Sequence, residues 1–110
     1  MKLSEKQQVF SKNIAYLIFY ADSIGIQLTF GDAYRSIEQQ QIYFNEGKSK
    51  TMDSQHRKRL AVDFNFFMNG QLTYDIDKIK PLGDYWEKLH PDNNWGGNWK
   101  FIDVPHFEMK

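Results

Sequence analysis

The chain has 110 residues, enough for one domain with one modest core, and its 41% apolar and 16% aromatic content fits a packed fold rather than a disordered chain. Fourteen basic residues balance fourteen acidic ones, which argues against a general nucleic-acid binder, whose footprint is a strongly basic domain. The chain has no cysteine, so disulfide scaffolds, zinc–cysteine knuckles and thiol nucleophiles are excluded, and any metal site must use His, Asp or Glu.

The opening stretch, MKLSEKQQVFSKNIAYLIFY, is interrupted by polar residues too often to act as a secretory signal, and no stretch approaches the length of a membrane span. The expectation is cytoplasmic synthesis with no signal peptide and no membrane partner. Ser4 with Gln7 fits a capping box, and Phe10, Ile14, Leu17, Ile18 and Ala21 recur at helical spacing up to a stop at Gly25. This predicts a helix over about residues 5–24, with the apolar stripe as core. IQLTF, residues 26–30, is a short strand. Ser36 with Gln39 repeats the capping signature and predicts a second helix running to Glu46 and ending at Gly47. GKSKTMDSQ, residues 47–55, reads as a loop.

LAVDFNFFM, residues 60–68, alternates. Ala61, Asp63, Asn65 and Phe67 share one face; Val62, Phe64, Phe66 and Met68 share the other. Asn69-Gly70 is a hairpin signal, with QLTY as the returning strand. Leu82, Tyr85, Trp86 and Leu89 predict a third helix begun near Pro81 and closed before Pro91. A loop, PDNNWGGNW, then leads to a final strand around FIDVPHFEM. The predicted class is α+β, with helices packed on a small antiparallel sheet, in a single domain over residues 1–110.

The stretch SQHRKRLAVDF places a histidine seven positions before an aspartate. On one helix His56 and Asp63 would lie about 10 Å apart along the axis. On one straight strand they would be on opposite faces, about 23 Å apart. Ligand atoms that share a zinc ion lie only about 3–4 Å from each other. A bend near residues 57–60 is therefore required if the two share an ion. A third ligand would come from His90 or His106. His90 precedes Pro91 at a helix end, where a histidine often meets the last carbonyls. His106 lies three residues after Asp103, and an acid beside a metal-bound histidine can act as general base. From spacing alone, ordinary surface and core roles fit these residues as well.

Three stretches in order carry a resemblance. SQHRKRLAVDF resembles the Ser-x-His-(six residues)-Asp signature of the M15 family of zinc peptidases. WGGNWKFIDVPHFE resembles that family's closing motif, Trp-x-Gly-Gly-x-Trp followed by Asp-x-Pro-His-Phe-Glu. AYRS at residues 33–36, followed by a glutamine-rich helix, resembles its Tyr-Arg-Ser segment. The resemblance spans roughly residues 25–110. It is nearest the branch of L-alanyl-D-glutamate endopeptidases from phage endolysins and bacterial wall hydrolases, with D-alanyl-D-alanine carboxypeptidases as relatives. It implies the M15 (D-Ala-D-Ala carboxypeptidase/Hedgehog-like) architecture.

The resemblance further implies one zinc ion (Zn2+) on His56, Asp63 and His106. It casts Asp103 as the catalytic acid, Arg35 as a catalytic and substrate-binding group near the scissile carbonyl, and Ser54 as a serine lining the site. Glu108 reads as a group behind the ligands rather than a ligand. The family usually has glycine where this chain has Arg59. If the bend needs positive φ there, arginine costs on the order of 1 kcal/mol or more. Trp95 and Trp99 read as core before they read as a sugar platform, and the Arg57–Lys58–Arg59 run reads as a solvated turn.

The implied function is hydrolysis of peptidoglycan stem peptides at the L-alanyl-D-glutamate bond, by a monomer acting on the wall after release in a phage or prophage lysis setting. Alternatives are a D-alanyl-D-alanine carboxypeptidase or dipeptidase on the same scaffold and a non-catalytic wall-binding module. A nucleic-acid binder built on HRKR is the remotest reading, because the net charge is zero.

Overall fold

A computed structural model of the chain describes residues 1–49, 52 and 54–110. In order, the elements are α1 (Leu3–Ser23), β1 (Ile26–Phe30), α2 (Ile37–Asn45), β2 (Ala61–Met68), β3 (Gln71–Thr73), α3 (Ile76–Leu89), β4 (Asn93–Trp95) and β5 (His106–Met109). Short 3-10 turns occupy Gln55–Lys58 and Gly96–Asn98.

α1 begins earlier than its capping signature suggested. Lys2 takes the N-cap position with no side-chain bond, and the Lys6 N–H already donates to the Lys2 carbonyl at 3.0 Å, so Ser4 lies in the first turn. Gly25 ends the segment at φ +84°, a conformation glycine adopts without steric cost. At α2 the cap is as expected, with the Ser36 hydroxyl accepting from the Gln39 N–H. α3 starts five residues before Pro81. The Asp75 side chain accepts from the Asp77 N–H, which satisfies an otherwise orphaned donor. Pro81 therefore sits inside the helix, where it withdraws one donor from the ladder.

The stretch over residues 91–99 was expected to be loop, but it contains β4. The final strand is shorter than expected, because residues 101–105 turn instead. The Asp103 N–H donates to the Gly96 carbonyl and the His106 N–H to the Asp103 carbonyl. The loop expected over residues 47–55 falls partly on residues 50, 51 and 53, which lie outside those described.

The sheet is antiparallel in the order β1-β2-β5-β4, with β3 also paired to β2. β2 is its spine. Residues 64–68 pair with β1, and residues 61–63 pair with β5. One face carries the core: Val62, Phe64 and Phe66 of β2 with Phe107 and Met109 of β5. Phe10, Leu17 and Ala21 of α1 and Ile79, Leu82 and Trp86 of α3 close over it. Phe107 is its hub, meeting Phe64, Trp86 and Trp95 at ring distances of 5.8, 6.0 and 6.4 Å. The buried indole N–H groups are satisfied, Trp86 on the Glu108 carbonyl and Trp95 on the Val104 carbonyl. Because strand residues alternate, the opposite face presents Asp63 of β2 and His106 and Glu108 of β5. Among the described residues, no helix is long and apolar enough to cross a membrane.

Candidate metal centre

The bend demanded by the spacing of His56 and Asp63 is built from two parts. The 3-10 turn Gln55–Lys58 carries His56, with the Ser54 hydroxyl accepting from the His56 N–H at 3.2 Å. Arg59 follows in the left-handed conformation at φ 57°, ψ 37°, and turns the chain into β2. Asp63 lies directly opposite His106 in the β2–β5 register. Pairing thus delivers the two strand residues together, and the turn delivers the third.

The result is one cluster. Oδ1 of Asp63 lies 3.4 Å from Nε2 of His56 and 3.1 Å from Nδ1 of His106. One ligand atom from each residue falls within 4.8 Å of the others. The 3.1 and 3.4 Å separations match ligand atoms that share a small divalent ion at about 2 Å each, and two imidazole nitrogens with a carboxylate oxygen are a donor set that could hold one. The far nitrogen of each ring is also held. Nδ1 of His56 lies 3.3 Å from the Ala33 carbonyl, and Nε2 of His106 lies 2.7 Å from Oε1 of Glu108. Partners of this kind fix which nitrogen faces a metal.

The electrostatics follow from the same contacts. Burial alone would raise the Asp63 carboxyl, but hydrogen bonds to His106 and His56 hold it far below the usual carboxylate range. Burial would lower His106, but Asp63 and Glu108 outweigh it and push the ring up to about 9. Burial raises Asp103, aided by the nearby Asp63 charge and opposed by His106.

Asp103 sits at the rim, with Oδ2 4.0 Å from Nδ1 of His106 and its side chain half exposed. Its turn depends on Gly96. A Cβ on that residue would lie 2.3 Å from the Asp103 carbonyl oxygen and 3.1 Å from the His106 Cβ. Arg35 enters from the other side. Its backbone N–H donates to the His56 carbonyl, and Nη2 lies 3.1 Å from Asp32 and 3.9 Å from Asp63. Nη1 donates to Gln40 at 2.9 Å, and the guanidinium carbon lies 4.7 Å from the Tyr43 ring centroid. A cleft of about 1000 Å³ opens over the cluster, lined among others by Arg35, Tyr43, Ser54, Trp99, Asp103 and Glu108.

A family model described as D-alanyl-D-alanine carboxypeptidase, of the M15 peptidases, matches residues 47–109. The chain belongs to the M15 peptidase family. The L-alanyl-D-glutamate peptidase of Listeria phage A118 is 32% identical over 97 residues, which cover 84% of this chain and 34% of that protein. The M15 chain thus spans about a third of the length of that curated relative. The L-Ala D-Glu endopeptidase ChiX of Serratia marcescens shares the fold, with a TM-score of 0.74 at 22% identity, over 97% of this chain and 85% of that one.

In this M15 chain Arg59 does occupy the positive-φ position where the family usually has glycine. The arginine has a compensating contact, its guanidinium carbon lying 4.3 Å from the Tyr34 ring centroid. Arg57 donates to the Met52 carbonyl, so these two cations of the basic run serve the turn. Ser54 is buried and lines the cleft while capping the turn that carries His56. The two tryptophans divide: Trp95 is core, as expected, but the Trp99 ring packs 5.0 Å from His106 at the cleft wall. His90 does not donate to the last carbonyls of α3; its Nδ1 accepts from the Asp92 N–H at 3.0 Å. Sequence reasoning overlooked Asp32, Gln40 and Tyr43, which surround Arg35. Three consecutive glutamines on α2 carry no periodic signal that separates Gln40 from its neighbours.

Proposed function

We propose that this M15 chain is a zinc-dependent peptidase that cleaves peptidoglycan stem peptides at the L-alanyl-D-glutamate bond. The observation that carries the reading is the convergence of His56, Asp63 and His106 into one ligand cluster, with Asp103 at its rim and Arg35 beside it. A donor set of two imidazoles and one carboxylate without a thiolate suits zinc and leaves a coordination position open. The names of the phage and Serratia relatives support the choice of bond.

His56 through Nε2, Asp63 through Oδ1 and His106 through Nδ1 would hold the ion. When bound, zinc would supply Lewis acidity toward a water and a peptide carbonyl. Asp103 takes one proton from the attacking water as its oxygen bonds to the carbonyl carbon. It returns that proton to the leaving amine as the C–N bond breaks, so the acid is regenerated. Arg35 faces the negative charge that develops on the carbonyl oxygen. Ser54 holds the His56 turn and borders the substrate. Residues 1–110 act as one catalytic unit, as a monomer, on the wall during phage or prophage lysis.

The family model's description favours a second reading, a D-alanyl-D-alanine carboxypeptidase on the same scaffold. Mass spectrometry of products from purified muropeptides separates the two. Release of terminal D-alanine, with the L-alanyl-D-glutamate bond intact, overturns the first reading. Metal analysis of wild type beside His106→Ala tests the centre itself: a stoichiometric ion is expected in the first and lost in the second.

A further inference from the structure

Of the nine residues of α2, Gln40 alone is buried, and it is fully buried. A helix normally packs by its apolar side chains. Here the apolar residues Ile37, Ile42 and Phe44 are exposed, and a primary amide faces inward. Burying an amide is unfavourable unless it is hydrogen-bonded. Gln40 meets that demand at both ends: its Oε1 accepts from Nη1 of Arg35 at 2.9 Å, and its Nε2 donates to the Ser49 hydroxyl at 2.7 Å. Tyr43, one helical turn further on, presents its ring to the same guanidinium.

We infer that Gln40 is a positioning residue for Arg35, and that α2 is docked chiefly to orient that guanidinium over the cleft. The inference rests on the role proposed for Arg35. Asp32 holds Nη2, Gln40 holds Nη1 and the Tyr43 face fixes the plane. Two acceptors on two different nitrogens stop rotation about the Nε–Cζ bond, which a single ion pair does not. The Arg35 Nε atom is buried without a hydrogen-bond partner among the described residues, so the hold on the guanidinium comes through its two Nη nitrogens. An arginine held in this way meets a developing oxyanion without first reorganising.

The test is a double-mutant cycle on kcat/KM for stem-peptide cleavage, using Gln40→Met, Arg35→Ala and the double variant. Gln40→Met keeps the length of the side chain and removes the hydrogen bonds to Arg35 and Ser49. In the wild-type background it should lower kcat/KM by roughly 10- to 100-fold, mainly through kcat, as misplacement of a catalytic group does. In the Arg35→Ala background the same change should lower it less than about 2-fold. Gln40→Glu retains the acceptor for Nη1 and should recover most of the loss. Equal losses in both backgrounds, with metal content unchanged, would mean a merely structural role and overturn the inference.

An activity-free readout separates this inference from the functional reading. In nitrogen-15 spectra the Arg35 Nη hydrogens should give separate signals in the wild type, merge in Gln40→Met and separate again in Gln40→Glu. Signals that stay separate in Gln40→Met refute the inference whether or not the protein cleaves a stem peptide. Absence of wild-type cleavage with this spectral pattern intact would refute the peptidase reading and leave the positioning of Arg35 standing.

Discussion

Lowering the pH from 9 to 7 should weaken zinc binding about 50-fold through His106 alone. The ring is buried, 8% exposed, between the Asp63 and Glu108 carboxylates, which push its pKa up to about 9 against an ordinary value of 6.5. In the metal-free protein at pH 7 it is an imidazolium, and its Nδ1 must lose a proton before it can ligate. Well below pH 9 each further pH unit therefore costs about 1.4 kcal/mol, and the step from pH 9 to pH 7 costs about 2.3 kcal/mol. The stability of the metal-free protein runs in the opposite direction. A pKa raised on folding contributes stability that is fully present below pH 6.5 and is lost as pH rises through 9, on the order of 3 kcal/mol. Zinc titration against a chromophoric chelator from pH 6.5 to 9.5, with denaturant melts of the metal-free protein at the same pH values, measures both. Glu108→Gln serves as the control. It should weaken zinc binding 10- to 100-fold at pH 9.5 by loosening the ring, and less at pH 7, where a lowered His106 pKa eases proton release. A zinc affinity that changes less than about 3-fold between pH 7 and 9 would refute the reasoning.

Asp103→Ala should lower kcat by at least about 100-fold while stoichiometric zinc is retained, because Asp103 is not one of the three clustered ligands; near-normal turnover removes it from the proton-transfer role. Gly96→Ala should destabilise the fold by about 1–3 kcal/mol in denaturant melts and reduce activity, since its methyl lands 2.3 Å from the Asp103 carbonyl oxygen. Arg59→Gly should be more stable than Arg59→Ala by about 1 kcal/mol, because both lose the Tyr34 contact and only alanine keeps the left-handed strain; the reverse order in thermal melts would refute strain at this position.

Much of the scaffold was legible because it obeys local rules. The α1 stripe, the alternation of β2, the Asn69-Gly70 turn and the Ser36 cap each depend on neighbours within a few residues, and all lie where those patterns place them. The misjudged boundaries have local causes too. Asp75 caps α3 ahead of Pro81, and the Asp103 turn shortens the last strand. Trp99 was misjudged for a different reason: a large aromatic looks the same in sequence whether it fills a core or walls a cleft.

The sequence by itself confined any metal site to His, Asp or Glu and required a bend if His56 and Asp63 share an ion, since these follow from residue chemistry and chain geometry; the penalty expected at Arg59 came from the family resemblance. Only the tertiary structure decided which atoms meet. Antiparallel pairing sets Asp63 opposite His106, and alternation turns both, with Glu108, away from the core. The ring of groups around Arg35 was likewise invisible in sequence, because Asp32, Gln40 and Tyr43 acquire their meaning only when α2 docks and a buried amide must find partners.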